Sequence, residues 1–200
     1  MNNIVINKYF KKHTKTYCVF GCLLSDEGIK IKDEMLSWLI PNYDVISVEQ
    51  ELPGKLYEYP AIKYLINLSK NTNELVLYVH TKGAANKGII QEKIRKMWNY
   101  EFVDKKEYYI NKFNNHINDA IILCPFTGED KNTWFNGFYM TPTAAKKTQK
   151  LSSNNKRHYW EAMYKDNNKI KIIGRVFNNI SNIKNDENIY CLLKYIKENY

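Results

Sequence analysis

The sequence predicts a single α/β domain, a mostly parallel sheet with helices on its faces. Three observations predict it. Short apolar runs of strand length alternate with helical patterns over the first two-thirds of the chain, the signature of parallel strands joined by right-handed crossovers. The strand runs are continuously apolar at their centres, as expected of strands covered on both faces. No internal repeat and no linker rich in Pro, Gly or Ser divides the chain in two.

The elements follow in order. Tyr17 to Leu24 (YCVFGCLL) has the length and the β-branched and aromatic content of a buried strand. Ser25-Asp26-Glu27 offers capping chemistry to a helix running to Leu39 and stopped by Pro41, with Ile29, Ile31, Met35, Leu36 and Leu39 on its apolar face. Asp44 to Glu49 is a second strand. After a turn at Gly54, Pro60 suits the first turn of a helix over Tyr59 to Ser69. Glu74 to His80 (ELVLYVH) is a third strand, ending abruptly in the polar tetrad His80-Thr81-Lys82-Gly83. Two helices, Ile89 to Tyr100 and Asp104 to His116, precede a strand at Asp119 to Pro125. The last third reads as a Gly-punctuated loop (Phe126 to Gly137), helices at Pro142 to Leu151 and Lys156 to Tyr164, a strand at Lys169 to Gly174 and a closing helix from Asp186 to Glu198.

Composition bounds the function. The chain has 200 residues, 44% of them hydrophobic, and folding buries roughly 70% of the surface of a chain this long. Disorder, collagen and a disulfide-stapled scaffold are excluded by plentiful apolar residues, 8 Gly and 4 Cys. Thirty Lys and Arg against 21 Asp and Glu leave a charge of +9, which favours an anionic partner without naming one. Cys18 and Cys22 have no second pair or nearby His at metal-ligand spacing, and Cys124 and Cys191 stand alone in apolar stretches, so free thiols in a reducing compartment are expected. No signal-like apolar region follows Met1 and no window reaches the length of a membrane span, so the expected location is the cytoplasm.

Three segments can carry chemistry. In parallel sheets ligands bind beyond the carboxyl ends of strands, where the tetrad His80 to Gly83 falls. There a Lys ammonium, an imidazole and a Gly allowing close backbone approach suit a phosphate, although a strand that merely ends in polar residues would look the same. Trp134-Phe135-Asn136-Gly137-Phe138-Tyr139-Met140 reads either as core aromatics or as a tight Asn-Gly turn delivering side chains to a site rim. Arg157-His158-Tyr159-Trp160-Glu161 lies on an expected helix, where Arg157 and Glu161 stand four apart and can form an ordinary ion pair. A P-loop and a G-x-G-x-x-G are both missing from the sequence, so Walker-type and Rossmann dinucleotide readings lose their main support.

The order of these segments resembles a group of glycosyltransferase-like proteins found in bacterial surface-polysaccharide clusters and some large DNA viruses. The residues carrying the resemblance are Glu58-Tyr59-Pro60-Ala61, Val76 through Gly83, Arg95 through Trp98 with Tyr100, Phe135-Asn136-Gly137-Phe138, and Arg157 through Glu161. They match an E-[FY]-P-A segment, a YxHTKG strand end, a Trp-containing helix, an F-[SN]-G-N-[FW] segment and an R-Y-x-x-E helix. The likeness spans about residues 54–164. It departs from the pattern at Phe138, where the family has Asn, and at His158, which displaces the Tyr of the Arg-Tyr pair.

The resemblance implies a GT-A type fold over residues 1–200, with a donor nucleotide-sugar half to about residue 125 and an acceptor half from about 126. It implies a hexosyltransferase-like enzyme of polysaccharide or glycan synthesis, with a nucleotide-diphospho-sugar as donor and a saccharide as acceptor. Many GT-A enzymes hold a divalent metal on an Asp-x-Asp where this chain has His80-x-Lys82, and no D-x-D occurs anywhere. Lys82, with His80, Thr81, Gly83 and Arg95, would then meet the donor phosphates directly, so metal-independent transfer is favoured, with Mn²⁺ or Mg²⁺ as the open alternative. Glu161 carries over as general base for inverting displacement, Asp130 is the reserve, and Trp134, Phe135, Asn136, Gly137, Arg157 and Tyr159 fall on the acceptor or sugar side. Two other classes compete. One is a non-catalytic sugar- or nucleotide-binding relative; the other, less favoured, is a nucleic-acid-binding protein drawing on the positive charge and 16 Tyr. Peripheral membrane contact fits the same charge.

Overall fold

The structure, a computed structural model, describes residues 15–51, 58–84, 88–127, 133, 137–148, 167–176, 194–196 and 198–199. In chain order it contains β1 (Tyr17–Leu23), α1 (Asp26–Leu39), β2 (Val45–Glu51), α2 (Tyr59–Asn71), β3 (Val76–His80), α3 (Ile89–Asn99), α4 (Lys106–Asn115), β4 (Ile121–Thr127), β5 (Phe138–Met140), α5 (Pro142–Lys147) and β6 (Lys171–Val176). The strands form one mixed, mostly parallel sheet in the order β2-β1-β3-β5-β4-β6. Only β5 runs antiparallel to its neighbours.

The sheet is a central layer because its strands alternate between two apolar clusters. Cys18, Phe20, Leu77, Val79, Leu123 and Tyr139 face α1, α3 and α4. Val19, Val76, Tyr78, Ile122, Phe138 and Met140 face α2 and α5. Helix α1 starts where expected, with Ser25 Oγ accepting from the Gly28 N–H at 3.0 Å, and it buries Ile31, Met35 and Leu39 at helical spacing. Pro60 opens α2, which buries Ala61, Ile62, Leu65 and Ile66.

The structure refines the sequence reading at three places. The aromatic run Trp134 to Met140, read either as core or as a tight turn at a site rim, supplies in Phe138–Met140 the buried central strand β5, in keeping with the core reading. Three residues are too few to show a period, and the pairing that makes them a strand is with distant β3 and β4. Phe126, expected to open a loop, belongs to β4, which continues to Thr127 past Pro125. Its pairing with β6 slips between Leu123 and Phe126, as a proline without an N–H requires. The two helices expected with a break near residue 100 are joined by a π turn over Tyr100–Asp104. There the Phe102 carbonyl accepts from Tyr43 at 2.6 Å and from Tyr139 at 3.4 Å. Burial pushes the phenol pKa of both tyrosines upward, so they stay protonated donors.

Of the closing helix, 194–196 and 198–199 are helical, and Ile196 is buried. The helix expected at Lys156 to Tyr164 lies outside the described residues. Among the described residues no helix is long and apolar enough to cross a membrane.

Candidate functional site

Strand β1 pairs in parallel with β2 on one side and β3 on the other. The chain therefore leaves β1 for one flank and returns to the other, and the carboxyl ends of β1 and β3 stand side by side, at the end of the sheet where open α/β proteins bind ligands. Thr81 ties the two ends together. Its N–H donates to the Gly21 carbonyl at 2.9 Å, and its Oγ1 accepts from the Leu23 N–H at 3.0 Å. The expected phosphate ligand Thr81 is thus 5% exposed and engaged in joining the strands.

Beyond it the chain reverses. The Ala84 N–H donates to the Thr81 carbonyl at 3.1 Å, and Gly83, third of the four residues, has φ +97. This is the pattern of a type II turn, whose third position favours glycine. Arg95 comes from α3 to brace it. Its Nη1 donates to the Lys82 carbonyl at 2.9 Å, while Nε and Nη2 grip Glu34 of α1 at 2.9 to 3.1 Å. Arg95 stands at the strand end, but the residue is 9% exposed and its guanidinium holds protein groups.

His80, also 9% exposed, lies edge-on to Trp98 with ring centroids 5.3 Å apart, and its Nε2 stands 3.9 Å from Glu58 Oε1. Trp98 is fully buried, and its Nε1 has no hydrogen-bond partner among the described residues. The register Tyr78↔Phe138 brings Gly137 level with the end of β3, where a Cβ would stand 2.6 Å from the Trp98 ring.

Of the sequence-derived site residues, the structure gathers His80, Thr81, Lys82, Gly83, Arg95 and Gly137 at one strand end. Asp130, Trp134, Phe135, Asn136, Arg157, Tyr159 and Glu161 lie outside the described residues. Sequence reasoning did not place Glu58, Trp98 or Glu34 in the site. The first two sit in the motifs quoted above and were within reach. Glu34 carries no local signal, being 61 residues from its partner.

Among the described residues no cluster of three or more His, Cys, Asp or Glu is disposed to hold a metal ion. One imidazole and one carboxylate beside an ammonium and a guanidinium make a poor donor set for a divalent cation. A separate cavity of about 300 Å³ lies between the π turn with α4 and the middle of β4 and β6, lined by Glu101, Lys105, Tyr109, Leu123 and Ile173 among others. Tyr109 donates to the buried Glu101 carboxylate at 2.9 Å, and Lys105 stands 3.7 Å from it. This cavity shares no residue with the end of β3.

Comparison of the chain with protein-family models, curated proteins and solved structures gives no significant match.

Proposed function

We propose that the chain is a glycosyltransferase of GT-A type that moves a sugar from a nucleotide-diphospho-sugar to a saccharide acceptor. One observation carries the reading: four segments far apart in sequence, represented by Glu58, His80, Trp98 and Gly137, converge on the carboxyl end of β3. Open α/β sheets bind ligands beyond the carboxyl ends of their strands. Each of the four belongs to a motif of the family resemblance, and the Lys82–Gly83 turn lies beside them.

In this reading the donor diphosphate lies over the turn, and the Lys82 ammonium offsets the charge that builds on the leaving diphosphate. The acceptor hydroxyl oxygen attacks the anomeric carbon, the bond to the diphosphate oxygen breaks, and the hydroxyl proton passes to Glu161, with inversion. Thr81 and Arg95 act on the frame, one joining the strand ends and the other bracing the turn. By the family resemblance, Trp134, Phe135, Asn136, Arg157 and Tyr159 are proposed for the acceptor or sugar side, and the proposed location is the cytoplasm.

The test incubates the protein with a panel of nucleotide sugars, with Mn²⁺ or with EDTA, and measures binding and release of nucleoside diphosphate. One donor is expected to bind and turn over in EDTA, and Lys82→Ala to lower turnover at least about tenfold, the loss expected when a charged hydrogen-bond donor is removed. Tight donor binding without turnover on any acceptor favours the non-catalytic relative. If no nucleotide sugar binds or is hydrolysed and Lys82→Ala changes nothing, the reading is abandoned.

A further inference from the structure

We infer that Arg95, braced by Glu34, is a positioning residue that aims the Gly83 N–H at the donor diphosphate; this rests on the reading above and assigns a recognition atom within it. The argument starts from one peptide plane. The bond between Lys82 and Gly83 is trans, as there are no cis peptides in the described residues, so the Lys82 carbonyl and the Gly83 N–H point in opposite directions. Arg95 Nη1 holds that carbonyl at 2.9 Å. The Gly83 N–H is thereby turned away from Arg95, and it donates to no group among the described residues.

Without the clamp the plane is free to flip, because the central peptide of such a turn can rotate between type I and type II geometry. The flip would carry the N–H to the opposite side. Arg95 prevents it only if its own fork is immobile, and Glu34 supplies that restraint with bonds of 3.0, 3.1 and 2.9 Å to Nε and Nη2. A bidentate pair of this kind fixes orientation as well as distance. Glycine is required at position 83 on two grounds. Its φ of +97 disfavours any side chain, and a Cβ would stand 2.8 Å from Gln91 Cβ and 3.2 Å from Arg95 Nη1. A backbone N–H held rigid beside the Lys82 side chain is a donor suited to a phosphoryl oxygen, whose negative charge strengthens the bond.

The experiment compares UDP, GDP and their monophosphates as probes, by titration calorimetry, on the wild type, Lys82→Ala, Arg95→Lys, the single variants Glu34→Arg and Arg95→Glu, and the charge exchange that combines those two. Thermal unfolding is recorded alongside. Arg95→Lys is expected to weaken diphosphate binding about tenfold or more, and to weaken monophosphate binding less. The charge exchange is the sharper variant. It restores an ion pair between α1 and α3, but a glutamate at 95 cannot donate to the Lys82 carbonyl. It should recover most of the thermal midpoint lost by either single variant and still bind the diphosphate weakly. In labelled protein the Gly83 amide resonance should move on diphosphate addition. The inference is overturned if Lys82→Ala weakens binding while Arg95→Lys does not, or if the charge exchange restores affinity along with stability. In either case the glycosyltransferase reading stands. If neither nucleoside diphosphate binds the wild type, both fall together.

Discussion

The Trp98 ring lies directly against the Gly137 backbone, so closely that a Cβ built on Gly137 would stand 2.6 Å from both Nε1 and Cε2. Trp98 is wholly buried and His80 packs edge-on against it, so the ring has nowhere to retreat. Gly137→Ala is therefore expected to lower stability by about 1–3 kcal/mol, the usual cost of overpacking a filled core. Urea denaturation gives the measurement. A variant as stable as the wild type would show that the strand entering β5 yields easily.

Thr81 holds β1 to β3 through both its backbone and its side chain. Thr81→Val keeps the shape and removes the oxygen that accepts from the Leu23 N–H. A loss of about 1–2 kcal/mol is expected, since that N–H is left without its acceptor. Thr81→Ser retains the hydroxyl and should recover most of the hydrogen-bond contribution. Equal midpoints for the valine and serine variants in the same denaturation series would contradict the bridging role.

These two cases show what was legible in the sequence. The framework was readable because its signals are local: Ser25 ahead of an apolar helical face, Pro60 at a helix start, and the continuous apolar centre of β3. The candidate site was readable in so far as it follows a strand end. What escaped depends on pairing between distant positions. Phe138 to Met140 become a strand only through Tyr78 and its neighbours, and Glu34 gains a role only when α3 brings Arg95 across 61 residues. The π turn escaped for a related reason, since Tyr100–Asp104 stays helical in pattern and its Phe102 carbonyl is drawn to Tyr43 and Tyr139 from other elements.

Asp44, just before β2, accepts from the Thr16 N–H at 2.8 Å and from Thr16 Oγ1 at 2.9 Å. Those bonds, the backbone one foremost, hold its carboxyl below the usual carboxylate range, with Lys106 adding to the effect. A depressed folded-state pKa contributes stability that is present above the unfolded value of roughly 3.9 and is lost as pH falls through the folded value. Asp44→Asn should therefore be less stable than the wild type near neutral pH. The two curves should converge once the pH drops below the folded pKa of Asp44. Parallel curves from pH 7 down to pH 2 would show that the carboxylate charge is not what joins residue 16 to β2.

In the proposed glycosyltransferase, Glu161 is the general base that the family resemblance carries over onto the Arg157-to-Glu161 segment. A general base acts on the acceptor hydroxyl only as the new bond forms, so removing it should not alter how the donor binds. Glu161→Gln keeps the size and hydrogen-bonding outline of the side chain and removes its ability to take a proton. Transfer is expected to fall about 10²–10⁴-fold, while donor affinity stays within about twofold. Asp130→Asn should leave transfer near the wild-type rate if Glu161 is the base. The opposite pattern, with transfer lost at 130 and kept at 161, would move the base to Asp130. It would leave the diphosphate end of the site, built on Lys82 and Gly83, unchanged.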